Sequence, residues 1–256
     1  MHRVDLNSDL GESFGAFTIG NDEELFEFIT SANVACGFHA GDPSVMRRTV
    51  GLAVEKDIAV GAHPGYRDLE GFGRRFMDIT PAEAYDLVLY QIGALFAIAH
   101  TEGVGLSHVK AHGALYNAAS TNPRLADAIA DAVRQFDPGL ILYGLAGSEL
   151  INAGERAGLR TASEAFADRS YQIDGSLTPR RRPGAMIEDE EVAIQRAIRM
   201  VTEGKVEAQQ GGDIDLHVDT ICIHGDGPHA ASFARSIRSR LEESEVEVKR
   251  VDAKDG

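Results

Sequence analysis

Short apolar stretches alternate with longer stretches whose apolar residues recur every three or four positions, from the first residues to the last. Short runs read as strands and helical-period runs as helices, so the pattern is that of an α/β chain. Seven strands are predicted, at residues 3–10, 31–38, 58–63, 107–112, 140–145, 160–166 and 219–224, each followed by a helix or by a loop leading to one. Three helix starts are explicit: Asp42-Pro43, Thr80-Pro81 with Glu83 completing a capping box, and Asn122-Pro123. In each, a side-chain oxygen is placed to accept from the first free amides, and proline sits where its missing N–H is not needed. A helix from about Asp189 ends at Gly204, and residues 246–251 read as a short final strand. No linker, charge block or repeat divides the chain, which predicts one domain over residues 1–256. A Rossmann-like open sheet and a closed barrel both fit the alternation. The number of strands for this length favours a single-domain (β/α) barrel with about seven parallel strands.

Polar residues break the apolar pattern in a regular way. Side chains alternate faces along a strand, so Asp5, Asn7 and Asp9 share one face while Val4, Leu6 and Leu10 share the other. His108, Lys110 and His112 repeat the split, as do Cys222, His224 and Asp226. An inert barrel would fill its lumen with Val, Ile and Leu, so three polar inward faces predict a site. His39 and His63 stand where strands give way to loops, and with Asp9 they make a set that could hold a divalent metal and activate water. Two long loops follow strands and therefore overhang the same mouth: one after His63, with Arg67, Arg74 and Arg75, and one over residues 166–187, with Arg169 and Arg180 to Arg182. Their arginines are candidates for clamping a carboxylate or phosphate, and the second loop is expected to be an exposed lid with few core contacts. No P-loop and no Gly-x-Ser-x-Gly elbow occurs.

Composition narrows the partners. A net charge of −15 repels phosphate backbones and anionic lipid, so neither nucleic-acid nor membrane binding is expected. Two cysteines, Cys36 and Cys222, suit a reducing compartment. No apolar run approaches the roughly 20 residues of a membrane span, and the chain reads as strand from Arg3 without a leader pattern, which predicts a cytoplasmic protein.

At these same residues the chain resembles the LamB/YcsF family. The resemblance rests on Asp5-Leu6-Asn7-Ser8-Asp9-Leu10-Gly11-Glu12, on residues 31–42 with Cys36-Gly37-Phe38-His39, and on Gly61-Ala62-His63-Pro64. It continues through residues 89–95, 108–110, 112–113, 144–149, 166–169 and 224–227; Ala111 and Gly65 stand where a proline and a small polar residue are expected. The resemblance implies a barrel related to the glycoside hydrolase/deacetylase fold and one subunit of a 5-oxoprolinase. That enzyme opens the lactam 5-oxo-L-proline to L-glutamate with ATP as co-substrate, Mg accompanying it, and with two other subunits. Within that scheme Asp9, His39, His63, Lys110 and His112 are the expected catalytic side chains. Asn7, Asn33, Arg169, His224 and Asp226 are expected to bind substrate. A metal-dependent deacetylase or amidohydrolase using Asp9, His39 and His63 as ligands, and a non-catalytic lactam-binding subunit, are the competing readings.

Overall fold

In the computed structural model, which describes residues 2–223 and 230–252, the predicted helix starts carry the predicted caps. Strand β1 (His2–Leu10) leads through the short α1 (Asp22–Leu25) to β2 (Ser31–Ala35), and α2 (Pro43–Glu55) leads to β3 (Ala59–His63). Helix α3 (Pro81–Thr101) precedes β4 (His108–Lys110), and α4 (Gly113–Ala119) and α5 (Pro123–Phe136) precede β5 (Ile141–Leu145). Helix α6 (Glu149–Ala157) precedes β6 (Arg160–Phe166). After α7 (Glu190–Glu203) come β7 (Lys205–Glu207), β8 (Asp213–Asp215) and β9 (Thr220–Cys222), then α8 (Ala230–Glu243) and β10 (Val246–Val248). Asp42 accepts from the amides of Ser44 and Val45, Asn122 from those of Arg124 and Leu125, and Thr80 with Glu83 closes the capping box. Gly204 ends α7 in the left-handed region.

Strands β1 to β6 pair in chain order, all parallel, and β9 pairs with both β6 and β1. The sheet therefore closes into a seven-stranded parallel barrel, as the strand number predicted. Strand β10 is not a barrel stave; it extends the start of β1, His2 opposite Val246. Among the staves shorter than predicted are β2 and β4. Strand β2 stops at Ala35 because Gly37 turns the chain at φ 89° and its amide donates to the Ala40 carbonyl. Strand β4 stops at Lys110 because His112 caps α4, its own amide donating to the Pro64 carbonyl. The antiparallel β7–β8 pair was not predicted, since strands of three residues leave no period to detect.

Outward residues of the barrel, such as Val4, Leu6, Leu10, Val34 and Val109, pack beneath the helices. One expectation needs correction here. Helix α3, 21 residues with an 18-residue stretch of mean hydropathy 1.3, is long and apolar enough by composition to cross a membrane. In the fold it lies on the barrel, burying Ala84, Val88, Gln91, Ile92, Leu95 and Ala99 on its inner face. Gln91 is part of that packing, exchanging hydrogen bonds with the Gly65 backbone.

Candidate active site

The lumen is filled by polar side chains in layers. At the bottom, the Asp5 carboxylate accepts from Thr30, Ser31, Tyr143 and Thr220 hydroxyls at 2.5–3.1 Å. Burial raises its pKa, and these hydroxyls work in the opposite direction. One layer up, the Asn7 amide donates to Glu164 (3.0 Å) and Thr220 (2.7 Å), while its carbonyl accepts from Asn33 (2.7 Å) and Lys110 (3.1 Å). Asn33 donates also to Asp9 (2.9 Å), and its carbonyl oxygen meets His108 Nε2 at 2.7 Å. The His108 ring stacks on Tyr143 with centroids 4.2 Å apart. That ring fits because position 61 is glycine: a Cβ there would lie 2.1 Å from His108 Nε2.

Above this layer sits Lys110, 2 % exposed. Its ammonium lies 2.7 Å from Glu164 Oε1, 3.0 Å from Asp9 Oδ1 and 3.1 Å from Cys222 Sγ. Burial opposes a charge there, yet Asp9, Cys222 and Glu164 together hold the ammonium well above its usual pKa. Burial likewise opposes ionisation of Asp9, but the facing His63 and Lys110 hold its carboxyl well below the usual range. Tyr116 completes the Glu164 environment, its hydroxyl donating at 2.6 Å. Lys110 is thus a fixed cation held between two carboxylates.

Beside the Lys110–Asp9 pair stands a histidine cluster. Asp9 Oδ2 is 3.3 Å from His63 Nε2, which is 2.9 Å from His112 Nδ1. His39 stacks face to face on His112, centroids 3.7 Å apart and planes 4° from parallel. Glu12 Oε1 lies 3.7 Å from both His39 Nε2 and His112 Nδ1. Burial, with the neighbouring imidazoles, holds His39 well below its usual pKa and pushes His112 down to about 3, so both rings are neutral near pH 7. Gly65 makes space for His39: a Cβ would lie 2.5 Å from its Nδ1.

A cavity of about 810 Å³ opens over this floor. Asp9, Glu12, His63, Lys110 and His112 form its base, and Arg74, Arg169, Arg180 and Arg181 stand on its walls. Both long loops reach the mouth, as their positions after strands predicted. The loop of residues 166–187 is not the loosely attached lid expected from the sequence. Thr178 is fully buried, Leu177 packs on the core, and Arg169 donates to the Thr178 carbonyl at 2.7 Å. Backbone bonds from Ser170 to Ala185, Thr178 to Ser170 and Ile187 to Asp168 hold the loop in place. Burial, followed by the Arg180 charge, pushes Arg169 down to about 10.

The expected catalytic set, Asp9, His39, His63, Lys110 and His112, is therefore brought together, with His39 behind His112 rather than on the cavity wall. Asn7 and Asn33, expected to bind substrate, are fully buried below the cavity rather than lining it, and are hydrogen-bonded to Glu164, Lys110, Asp9 and His108. His224 and Asp226 lie outside the described residues. The metal-type cluster also differs from the expected one. Glu12 joins His39, His63 and His112, with donor atoms all within 4.8 Å of one another, while Asp9 Oδ1 is taken up by Lys110 and Asn33. Cys36, whose thiol burial pushes up to about 12, remains a buried free thiol. Glu164 and Tyr116 were missed by sequence reasoning. For Glu164 a signal existed: a lone carboxylate at an inward position of an otherwise apolar strand end.

Fold and site together define a (β/α)-barrel protein whose C-terminal mouth carries a charge-paired lysine and a histidine cluster. The chain belongs to the LamB/YcsF family, whose pattern matches residues 4–256. A Bacillus licheniformis relative, named as one of the subunits of 5-oxoprolinase, is 63% identical over 248 residues, covering 97% of this chain and 98% of its own. The crystal structure of a lactam utilization protein from Thermus thermophilus superposes with a TM-score of 0.92 at 51% identity, covering 97% of this chain and 100% of that one. A family 4 carbohydrate esterase from Streptomyces lividans shares the fold alone, with a TM-score of 0.50 at 12% identity over 100% of this chain and 95% of that chain.

Proposed function

We propose that this chain is the lactam-handling subunit of an ATP-dependent 5-oxoprolinase, working with two other subunits to convert 5-oxo-L-proline to L-glutamate. The observation that carries this reading is the Lys110 ammonium held between Asp9 and Glu164 at the base of an arginine-walled cavity. Its chemistry suits an anionic amide. A five-membered lactam is a stable amide, and transfer of the ATP γ-phosphoryl group to its oxygen makes the ring carbon electrophilic. Water adds to that carbon, the C–N bond breaks with the nitrogen taking a proton, and a second water hydrolyses the acyl phosphate that remains. Lys110 is placed to stabilise negative charge developing on oxygen, and a cation preorganised by buried carboxylates needs no rearrangement to do so. Asp9, held ionised and 3.3 Å from His63 Nε2, is placed with His63 to take a proton from water. Arg169 and Arg74 face the cavity as partners for carboxylate or phosphoryl oxygens. ATP and its Mg are assigned to the assembled enzyme.

The test is glutamate release from 5-oxoproline by the chain reconstituted with its partner subunits and ATP. The Asp9→Asn variant is expected to lose about 10² or more in turnover, the scale of one acid–base contribution. Full activity of Asp9→Asn would refute the role. The histidine cluster supports a second reading, a metal-dependent amidohydrolase that needs no nucleotide. Equal turnover with and without ATP would select it.

A further inference from the structure

Hydrogen bonding fixes the tautomers of two histidines in an arrangement that calls for a cation between them. His63 Nδ1 lies 2.7 Å from the Lys110 carbonyl, and His112 Nε2 lies 2.9 Å from the Phe72 carbonyl. A carbonyl only accepts, so each of those nitrogens carries a proton and the other nitrogen of each ring is turned inward. Those two inner nitrogens, His63 Nε2 and His112 Nδ1, face each other across 2.9 Å, a contact that a proton or a metal ion between them satisfies. His39, fully buried, brings a third imidazole whose nitrogens have no hydrogen-bond partner among the described residues. Glu12 Oε1 sits 3.7 Å from His39 Nε2 and from His112 Nδ1.

We propose that Glu12, His39, His63 and His112 form a binding site for one first-row divalent transition-metal ion of the zinc class. Four ligands arranged tetrahedrally at about 2.0–2.1 Å from an ion lie roughly 3.3 Å from one another. Separations of 2.9 and 3.7 Å, with none beyond 4.8 Å, bracket that spacing, and the His39 ring, parallel to His112, must turn out of the stack to aim its nitrogen at the ion. Three imidazoles and one carboxylate suit zinc and its neighbours, whereas Mg²⁺ and Ca²⁺ prefer oxygen. Backbone carbonyls orient His63 and His112 from behind, the support that metal-ligating imidazoles commonly have. Lys110 does not neutralise the cluster; its ammonium is turned to Asp9, Glu164 and Cys222. When bound at the cavity floor, such an ion polarises a carbonyl or acidifies a water. The alternative filling is a single proton shared by His63 and His112.

Metal binding and the lactam reading stand or fall separately, because the first is measured on the chain alone and the second by turnover of the assembled enzyme. Protein purified without a polyhistidine tag and stripped with chelator is titrated with Zn²⁺ by calorimetry and with Co²⁺ by visible absorption. We expect one ion per chain, nitrogen-ligated Co²⁺ bands, a rise in melting temperature with Zn²⁺, and none with Mg²⁺. Glu12→Gln, which keeps size and packing, and His39→Gln should each weaken binding about tenfold or more, while His217→Gln on the surface should not change it. A crystal soaked in Zn²⁺ should show anomalous scattering between the four side chains. Failure of the folded chain to bind Zn²⁺ or Co²⁺, scattering elsewhere, or undiminished binding in Glu12→Gln would overturn the proposal and leave the shared proton.

Discussion

Lys110 shows how one residue ties stability to chemistry. A buried ammonium is tolerated because Asp9 and Glu164 meet it at 3.0 and 2.7 Å, and removing one partner of such a group costs about 3–5 kcal/mol. Lys110→Met should therefore lose stability on that scale in urea denaturation as well as turnover, because it leaves two carboxylates facing each other. The double variant Lys110→Met, Glu164→Gln should recover much of the stability and none of the turnover; equal stability of the two would contradict the pairing. His108 gives a pH signature. Burial, then the Lys110 and His63 charges, pushes it from 6.5 to about 3. Between those values the unfolded chain binds a proton that the native protein does not. Stability present above pH 6.5 is accordingly lost as pH falls, on the order of 1 kcal/mol per pH unit. His108→Asn, which removes the titration, should flatten this part of the stability curve relative to the wild type.

At the scale of elements, the segment after β6 is the informative one. Its length and arginines suggested an exposed connection, whereas the fold buries Thr178 and packs Leu177 on the core. Thr178 also receives the Arg169 guanidinium on its carbonyl and the Ser170 hydroxyl on its own. Deleting residues 176–183 should thus lower stability by roughly 2 kcal/mol or more, in the range of losses from buried packing and hydrogen bonds, and should abolish turnover together with it. Native hydrogen exchange gives a second check: the amides of Ser170 and Thr178, bonded to Ala185 and Ser170 carbonyls, should be protected before any ligand is added. Rapid exchange at both would show that the segment opens freely.

For the whole molecule, parallel closure places every strand-to-helix loop at one end, and that is why residues from β1, β3 and β4 share one floor with loop arginines above it. The acidic chain concentrates positive charge at that mouth, where Arg74, Arg169, Arg180 and Arg181 converge. Under the proposed function, the isolated chain with ATP and Mg should release almost no glutamate, and adding the partner subunits should restore turnover. Substantial release by the chain alone would show that the site needs no partner.

The strand count, the three proline-marked helix starts and the polar inward faces of β1 and β4 were legible in the sequence, because each rests on a local rule: side-chain periodicity or a cap within four residues. The grouping of Asp9, His39, His63, Lys110 and His112 followed once strand ends were assumed to share a mouth. Tertiary structure alone decided the rest. It sank Asn7 and Asn33 below the cavity and brought Glu164 from β6 under Lys110 of β4, a contact between distant strands that no local pattern encodes. It also carried Glu12 to His39 and His112, while Asp9 gives one oxygen to Lys110 and Asn33 and turns the other to His63. Periodicity says which face a side chain takes; its depth in the lumen and its partners depend on the stagger between strands, which only barrel closure sets.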